Sequence, residues 1–362
     1  MRGIFIGIGI FILAAVIGIA FWFKGNQKPD LHIKGIIGSE KSNFLENEKV
    51  KKILKNKYGL TIDYSRAGSI EMVSEPVKED IDFLWPSSQV ALEIFRQTQG
   101  TKLIKSELVF NSPIVIYSWD IVLKVLIAQG LVKTENGTNY ITDMDKLIRW
   151  ELSGKSWPDI GLPELYGKIN VTTTDPTKSN SGNMYAGLMA NLLNGDVVNN
   201  EDSLVRVIPS LKELFARQGF MQSSSGFLFE QFLQTGVGQY PMIAGYENQI
   251  VEFSLQHPDF WPKVKDKIKI LYPIPTVWSE HPALILNKRA LALLDALKDE
   301  EIQKIAWEEH GFRTGLIGVQ NDAKVIKVDG LAQSINKTIP MPRAGIMEKI
   351  ISELSTSSSN RP

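Results

Sequence analysis

Thr172-Thr173-Thr174-Asp175-Pro176-Thr177-Lys178-Ser179-Asn180-Ser181-Gly182-Asn183 joins a strand-like run, Lys168 to Val171, to a helix-like run, Met184 to Leu193. A loop that leaves a strand and enters a helix turns free backbone N–H groups, and the positive end of the helix dipole, toward whatever lies in front of it. Six hydroxyl side chains crowd these twelve residues. One or two suffice to cap a helix, so the surplus points to a ligand cradle. Asp175, which precedes a proline, also fits an Asx turn closing on its own backbone.

Outward from this loop the chain repeats the same alternation. Leu31 to Ile37 reads as a strand, Gly38-Ser39-Glu40-Lys41-Ser42 as a turn and Asn43 to Lys57 as a helix, with Asn43 and Glu46 fitting a capping box and Gly59 the left-handed position past the helix end. A second cycle runs Leu60 to Tyr64, Ala67-Gly68-Ser69 and a short helix. A third runs Ile81 to Leu84, Trp85-Pro86-Ser87-Ser88 and the helix Gln89 to Gln99. Leu103 to Tyr117 is a long extended run interrupted by Asn111-Ser112-Pro113, followed by helices over 120–129 and 143–152. Beyond the central loop come helices near 184–194, 202–218 and 226–235, a strand Pro241 to Ala244, the turn Gly245 to Gln249, extended runs Lys267 to Tyr272 and Pro282 to Leu286, and helices near 288–297 and 299–309. Such alternation predicts an α/β fold with doubly wound, mostly parallel sheets. Ligands in such folds bind where loops leave the carboxyl ends of strands.

At 362 residues with 43% hydrophobic content, the chain can build two lobes, each with a core. Forty basic residues balance forty acidic ones, which gives no global case for a nucleic-acid partner. Cysteine is absent, so disulfides, thiolate nucleophiles and cysteine-held metals are excluded. The four histidines, His32, His257, His281 and His310, lack the helical spacing of a metal-binding pair, and neither a metal site nor a cofactor is expected. Gly3 to Phe23 is an uncharged apolar run closed by Lys24, long enough to cross a bilayer. Its bulky aromatic end, Phe21-Trp22-Phe23, suits a membrane interface better than a cleavage site. Residues 3–23 are therefore read as a transmembrane anchor rather than a signal sequence, followed by a linker over 24–30.

Five small-polar turns recur at strand ends, and their order resembles the extracellular solute-binding proteins of bacterial ABC transporters, with the type II periplasmic-binding-protein fold. The resemblance is carried by Gly38-Ser39-Glu40-Lys41, Ala67-Gly68-Ser69, Asp82 to Ser88, Ser112 to Ile116, Asp175-Pro176-Thr177 through Ser181-Gly182, and Gly245-Tyr246-Glu247-Asn248. It implies lobe 1 over 30–117 and 273–345, lobe 2 over 118–272, and crossovers at Val109 to Trp119 and Leu271 to Trp278, while the serine-rich composition of 355–362 reads as a flexible tail. It further implies a small polar or anionic solute held by Ser39, Glu40, Ser69 and Ser88 from lobe 1 and by Thr174, Asp175, Ser181 and Tyr246 from lobe 2. The solute would pass to an ABC permease, and the protein would be a monomeric, non-catalytic, membrane-tethered body outside the cytoplasm. Oxyanion binders of this kind hold ligand through hydroxyls and helix-end N–H groups. Here Glu40, Lys41, Glu71, Asp175 and Glu247 depart from that pattern.

Two other readings compete. The same lobes could present a ligand-closed surface to a protein partner as a sensor or adaptor. Ser334-Ile335-Asn336-Lys337, Ser181-Gly182-Asn183 and Arg313-Thr314-Gly315 imitate the motifs of serine–lysine acyl hydrolases, but in the wrong order along the chain. Trp85, Trp119, Trp157 and Trp278 suit either the core or sugar stacking.

Overall fold

Strand β1, Leu31–Ile37, pairs in parallel with β2, Leu60–Arg66, on one side and with β3, Phe83–Trp85, on the other. The computed structural model describes residues 30–359. The expected anchor, residues 3–23, lies outside them, and among the described residues no helix is long and apolar enough to cross a membrane. Between β1 and β2 the chain makes a short helix, Ser42–Glu46, and then the helix Glu48–Tyr58. The cap is not Asn43 as expected but Asn47, whose side chain accepts from the Lys49 and Val50 N–H groups. Asn43 instead donates to Glu252 at 3.0 Å. Gly59, with φ 66°, ends the helix as expected.

The longest strand, β4 (Lys105–Trp119), belongs to two sheets. Up to Pro113 it runs antiparallel to β9, Trp278–Ile285, and beside β10, Arg313–Thr314. From Ile114 onward it runs antiparallel to β7, Met242–Tyr246, and to β8, Ile268–Pro273. Proline lacks an N–H, so Pro113 sits where the strand changes partners without forfeiting a ladder bond. β8 continues in parallel to β6, Thr138–Ile141, which forms a hairpin with β5, Val132–Glu135, across Asn136-Gly137, both at positive φ. The expected parallel pairing holds in β2-β1-β3 and in β6-β8, whereas the crossing strands run antiparallel, so both sheets are mixed.

Two packing centres form, one within the first half and a larger one that runs from Met72, Val90 and Phe95 of the first half through the second. In the first, Phe44, Trp85, Phe110 and Phe312 are fully buried. Phe44 meets Phe110 edge-on at 5.2 Å, and Phe110 stacks on Phe312 at 5.3 Å. Burying each such ring contributes about 1.5–3 kcal/mol. The larger core gathers Tyr117, Trp157, Leu188 and Phe232. Residues beyond β10 return to it: Ile339 N–H donates to the Thr276 carbonyl at 2.9 Å, and the final helix, Ala344–Ser359, packs on the helices Glu201–Ala216 and Gln89–Gln99. That helix takes in Ser355 to Ser359, the first part of the serine-rich stretch expected to be a flexible tail.

Candidate ligand-binding cleft

The central loop ends in the fifteen-residue helix Asn180–Asn194, and its hydroxyls are largely spent on holding that helix in place. Thr174 Oγ1 lies 2.7 Å from Ser181 Oγ, which lies 3.1 Å from Ser179 Oγ. Asp175 Oδ1 accepts from the Thr177 N–H at 2.9 Å and from its hydroxyl at 2.7 Å, closing the Asx turn. Gly182 is required where it stands, because a Cβ there would lie 2.2 Å from the Thr174 carbonyl oxygen. This close approach sets the helix N-terminus at the edge of the second half.

Facing it from the first half are the turns after β1 and β2. Together the two halves enclose a cavity of about 600 Å³. Ser39, Glu40 and Ser69 come from one wall, Ser179, Asn180 and Tyr246 from the other. The halves touch here: a Cβ on Gly68 would lie 2.8 Å from the Lys178 carbonyl oxygen, so glycine permits the approach. Asn180 Nδ2 donates across the divide to the Ser87 carbonyl at 2.8 Å and to the Tyr246 phenol at 3.0 Å.

Behind Glu40 lies a buried polar cluster. Lys41, fully buried, donates to Glu40 Oε1 at 2.5 Å and to Ser87 Oγ at 2.6 Å, with its ammonium 5.6 Å from the Trp85 ring centre. Ser87 Oγ donates in turn to Glu40. Burial works against the Glu40 carboxylate, but the Lys41 charge, helped by the hydrogen bonds from Lys41 and Ser87, outweighs it and holds the group down at about 2. Burial pulls the Lys41 ammonium the other way, and Glu40 compensates in part. His281 is pushed well below its ordinary value by burial and by Lys41, and so is neutral. Ser279 spends its one proton on the Ser87 carbonyl at 2.8 Å, so His281 Nε2, 3.3 Å away, is the donor to it. Nδ1 is then a bare acceptor 3.7 Å from Glu40 Oε1, with no partner. Burial, then the Glu40 charge, drives the Tyr246 phenol far up, so it stays protonated.

Of the expected contact residues, Ser39, Glu40, Ser69 and Tyr246 stand on the cavity wall. Ser69 Oγ also accepts from the Ser87 N–H at 2.9 Å. Ser88, Thr174, Asp175 and Ser181 do not reach the cavity. Ser88 caps the helix Gln89–Gln99 by accepting from Val90 N–H at 3.1 Å and faces a separate cavity of about 430 Å³ beside Trp278 and Glu280. Trp85, Trp119 and Trp157 are core residues. Glu247 is turned away from the cleft: Arg313 grips it at 2.6 and 2.8 Å, and the Tyr272 hydroxyl donates to it at 2.5 Å. Glu71 Oε2 accepts from the Gly68 N–H at 3.0 Å. Sequence reading missed Arg66, Asn180 and the triad Ser223, Ser224 and Ser225. That serine run opens the helix Ser225–Thr235 just as the central loop opens its own helix, and the same logic identifies it.

A larger surface groove, about 1000 Å³, runs between the helices Asn248–Gln256 and Glu300–His310. Two of its polar side chains are already engaged, Asn47 with Glu309 and His310 with Glu252 behind it. It shares no lining residue with the cleft.

No family model and no curated protein matches the chain in sequence. Solved structures match its fold. A Bordetella parapertussis protein assigned to the extracellular solute-binding proteins aligns over 91% of this chain and 98% of its own at 14% identity, with a TM-score of 0.59. Apo ferric ion-binding protein A of Pasteurella haemolytica aligns over 91% and 98% at 13% identity and a TM-score of 0.56. The sulfate-binding protein SubI of Mycobacterium tuberculosis aligns over 90% and 96% at 16% identity and a TM-score of 0.52. The chain has the fold of the two-lobed extracellular solute-binding proteins.

Proposed function

We propose that the protein binds a small polar or anionic solute between its two halves, without catalysis, and hands it to an ABC transporter. The observation that carries this reading is the cavity of about 600 Å³ whose walls come from both halves and whose lining is rich in hydroxyl and amide groups. A solute in contact with both walls stabilises the closed arrangement by bridging them. The lobes of this reading are residues 30–117 with 273–345, and 118–272. The body works outside the cytoplasm, tethered by the apolar segment 3–23, as a monomer. Fold neighbours named for sulfate and for ferric ion fit a small inorganic or polar cargo, although those names speak for those proteins.

Thermal unfolding of the full chain against oxyanions, sugars, amino acids, polyamines and nucleotide-like compounds tests the reading. A solute present at a hundredfold over its dissociation constant adds about 2.7 kcal/mol of stability, a clear upward shift in the melting temperature. A selective shift supports the proposal. Flat curves across the panel from a folded chain remove it and leave the protein-partner role for the same halves.

A further inference from the structure

We infer that the chain after β10 forms a strap that fastens the two halves in the closed arrangement, and that its tie to Glu93 sets how readily the cleft opens. The inference rests on the reading that the halves move, and not on which solute they hold. β4 and the segment from β8 to β9 already connect the halves. The C-terminal segment is a third connection, and it crosses the divide more than once.

Its path follows from its hydrogen bonds. It leaves the first half at Asp322, whose carbonyl accepts from Trp307 Nε1 at 2.9 Å. In the second half, the Tyr272 hydroxyl accepts from the Ala332 N–H at 3.0 Å. The segment then lies along the crossover, where the Thr276 N–H donates to the Lys337 carbonyl at 3.1 Å and the Thr276 carbonyl accepts from the Ile339 N–H at 2.9 Å. Asn191 of the second half donates to the Pro340 carbonyl at 2.8 Å. Glu93 of the first half accepts from the Ala344 N–H at 3.1 Å. The final helix then turns back to the second half, where Lys212 pairs with Glu353 at 2.5 Å.

The helix is wedged between the halves. Met347 and Ile350 are fully buried, in one apolar cluster with Val90 and Phe95 of the first half and Leu204 and Leu211 of the second. Gly187 admits the strap, since a Cβ there would lie 2.3 Å from Met341 Cε. Between the tie to Asn191 and the tie to Glu93 lie only Met341, Pro342 and Arg343, and the prolines at 340 and 342 fix φ along that link. A rotation about the crossovers moves Glu93 relative to Asn191 and Lys212. A link this short and stiff cannot absorb the movement, so opening breaks one of its ends, and the Glu93 end hangs on one hydrogen bond.

Spin-label distance measurements on the full chain without solute test the strap. The chain has no cysteine, so Lys52→Cys and Glu230→Cys, at exposed positions on helices of the first and second halves, carry the two labels. Glu93→Ala removes the acceptor. Ala344→Pro removes the donor at the first position of a helix, where proline is well tolerated. The expected result in both is about a tenfold rise in the ratio of long-distance to short-distance populations, the scale of one lost hydrogen bond to a carboxylate. Glu93→Gln, which keeps an acceptor, stays near the parent ratio. An unchanged ratio in either variant that folds, or a shift in Glu93→Gln as large as in Glu93→Ala, overturns the inference. Loss of folding in both Glu93→Ala and Ala344→Pro overturns it too, because the segment is then part of the core and not a strap. With no solute present, none of these outcomes bears on the solute-binding reading.

Discussion

Asn180 in the second half donates its side-chain amide to the backbone carbonyl of Ser87 in the first, at 2.8 Å, so one hydrogen bond fastens the first turn of a helix to the loop after β3. The Ser87 carbonyl also accepts from Ser279 on β9, and the Ser87 hydroxyl from Lys41. The floor of the cleft is thus one connected polar network spanning both halves.

Replacing Gly182 disturbs this arrangement from a distance. In Gly182→Ala the new methyl group meets the Thr174 carbonyl, which is backbone and cannot swing aside. The helix start must shift, carrying Asn180 with it. Solute affinity falls and the melting temperature drops, both readable in one thermal titration.

The buried pair of Arg313 and Glu247 holds the crossing region together. Arg313→Met removes the guanidinium that pairs with the fully buried Glu247 carboxylate. Breaking such a pair costs about 3–5 kcal/mol, and the double variant Arg313→Met with Glu247→Leu recovers much of it. Urea unfolding of the two variants measures both steps.

Phe110 is the centre of the ring cluster in the first half. Phe110→Ala leaves a cavity bounded by Phe44, Trp85 and Phe312 and costs about 3–5 kcal/mol. The same denaturant series checks it.

Two carboxylates give the stability opposite slopes in pH. Burial raises Glu151 to about 8 against only the Val171 N–H and the Arg217 charge. Its folded-state value lies above the unfolded one, so the folded form resists ionisation and stability falls as pH rises from the ordinary glutamate range toward 8. Glu151→Gln flattens that fall. Glu40, held at about 2 by Lys41 despite its burial, acts in reverse: its contribution is present above the ordinary range and disappears as pH drops toward 2. Melting temperatures across the pH range, with and without Glu151→Gln, resolve the two.

Much of the first half was legible because its signals are local. β1, the helix Gln89–Gln99 and the Gly59 terminator follow from period and cap chemistry. The hairpin of β5 and β6 passed unread, although Asn136-Gly137 is the strongest short turn signal in that region. Four of the eight expected contacts reach the cavity. The others are diverted by partners close in sequence: Ser88 to its helix cap, Asp175 to its turn, and Thr174 and Ser181 to each other. Those competing uses are ordinary for such residues, and sequence spacing does not say which one prevails. Glu247 looked like an obstacle to an anion because its partner, Arg313, is 66 residues away.

Hydrogen exchange on the full chain, with and without the solute that raises its melting temperature, tests most directly whether ligand is held by both halves. The account predicts joint protection of amides in the turns 38–41 and 66–69 of the first half and in 177–183 and 223–225 of the second. Protection confined to one half, or placed instead in the groove between the helices Asn248–Gln256 and Glu300–His310, would contradict it.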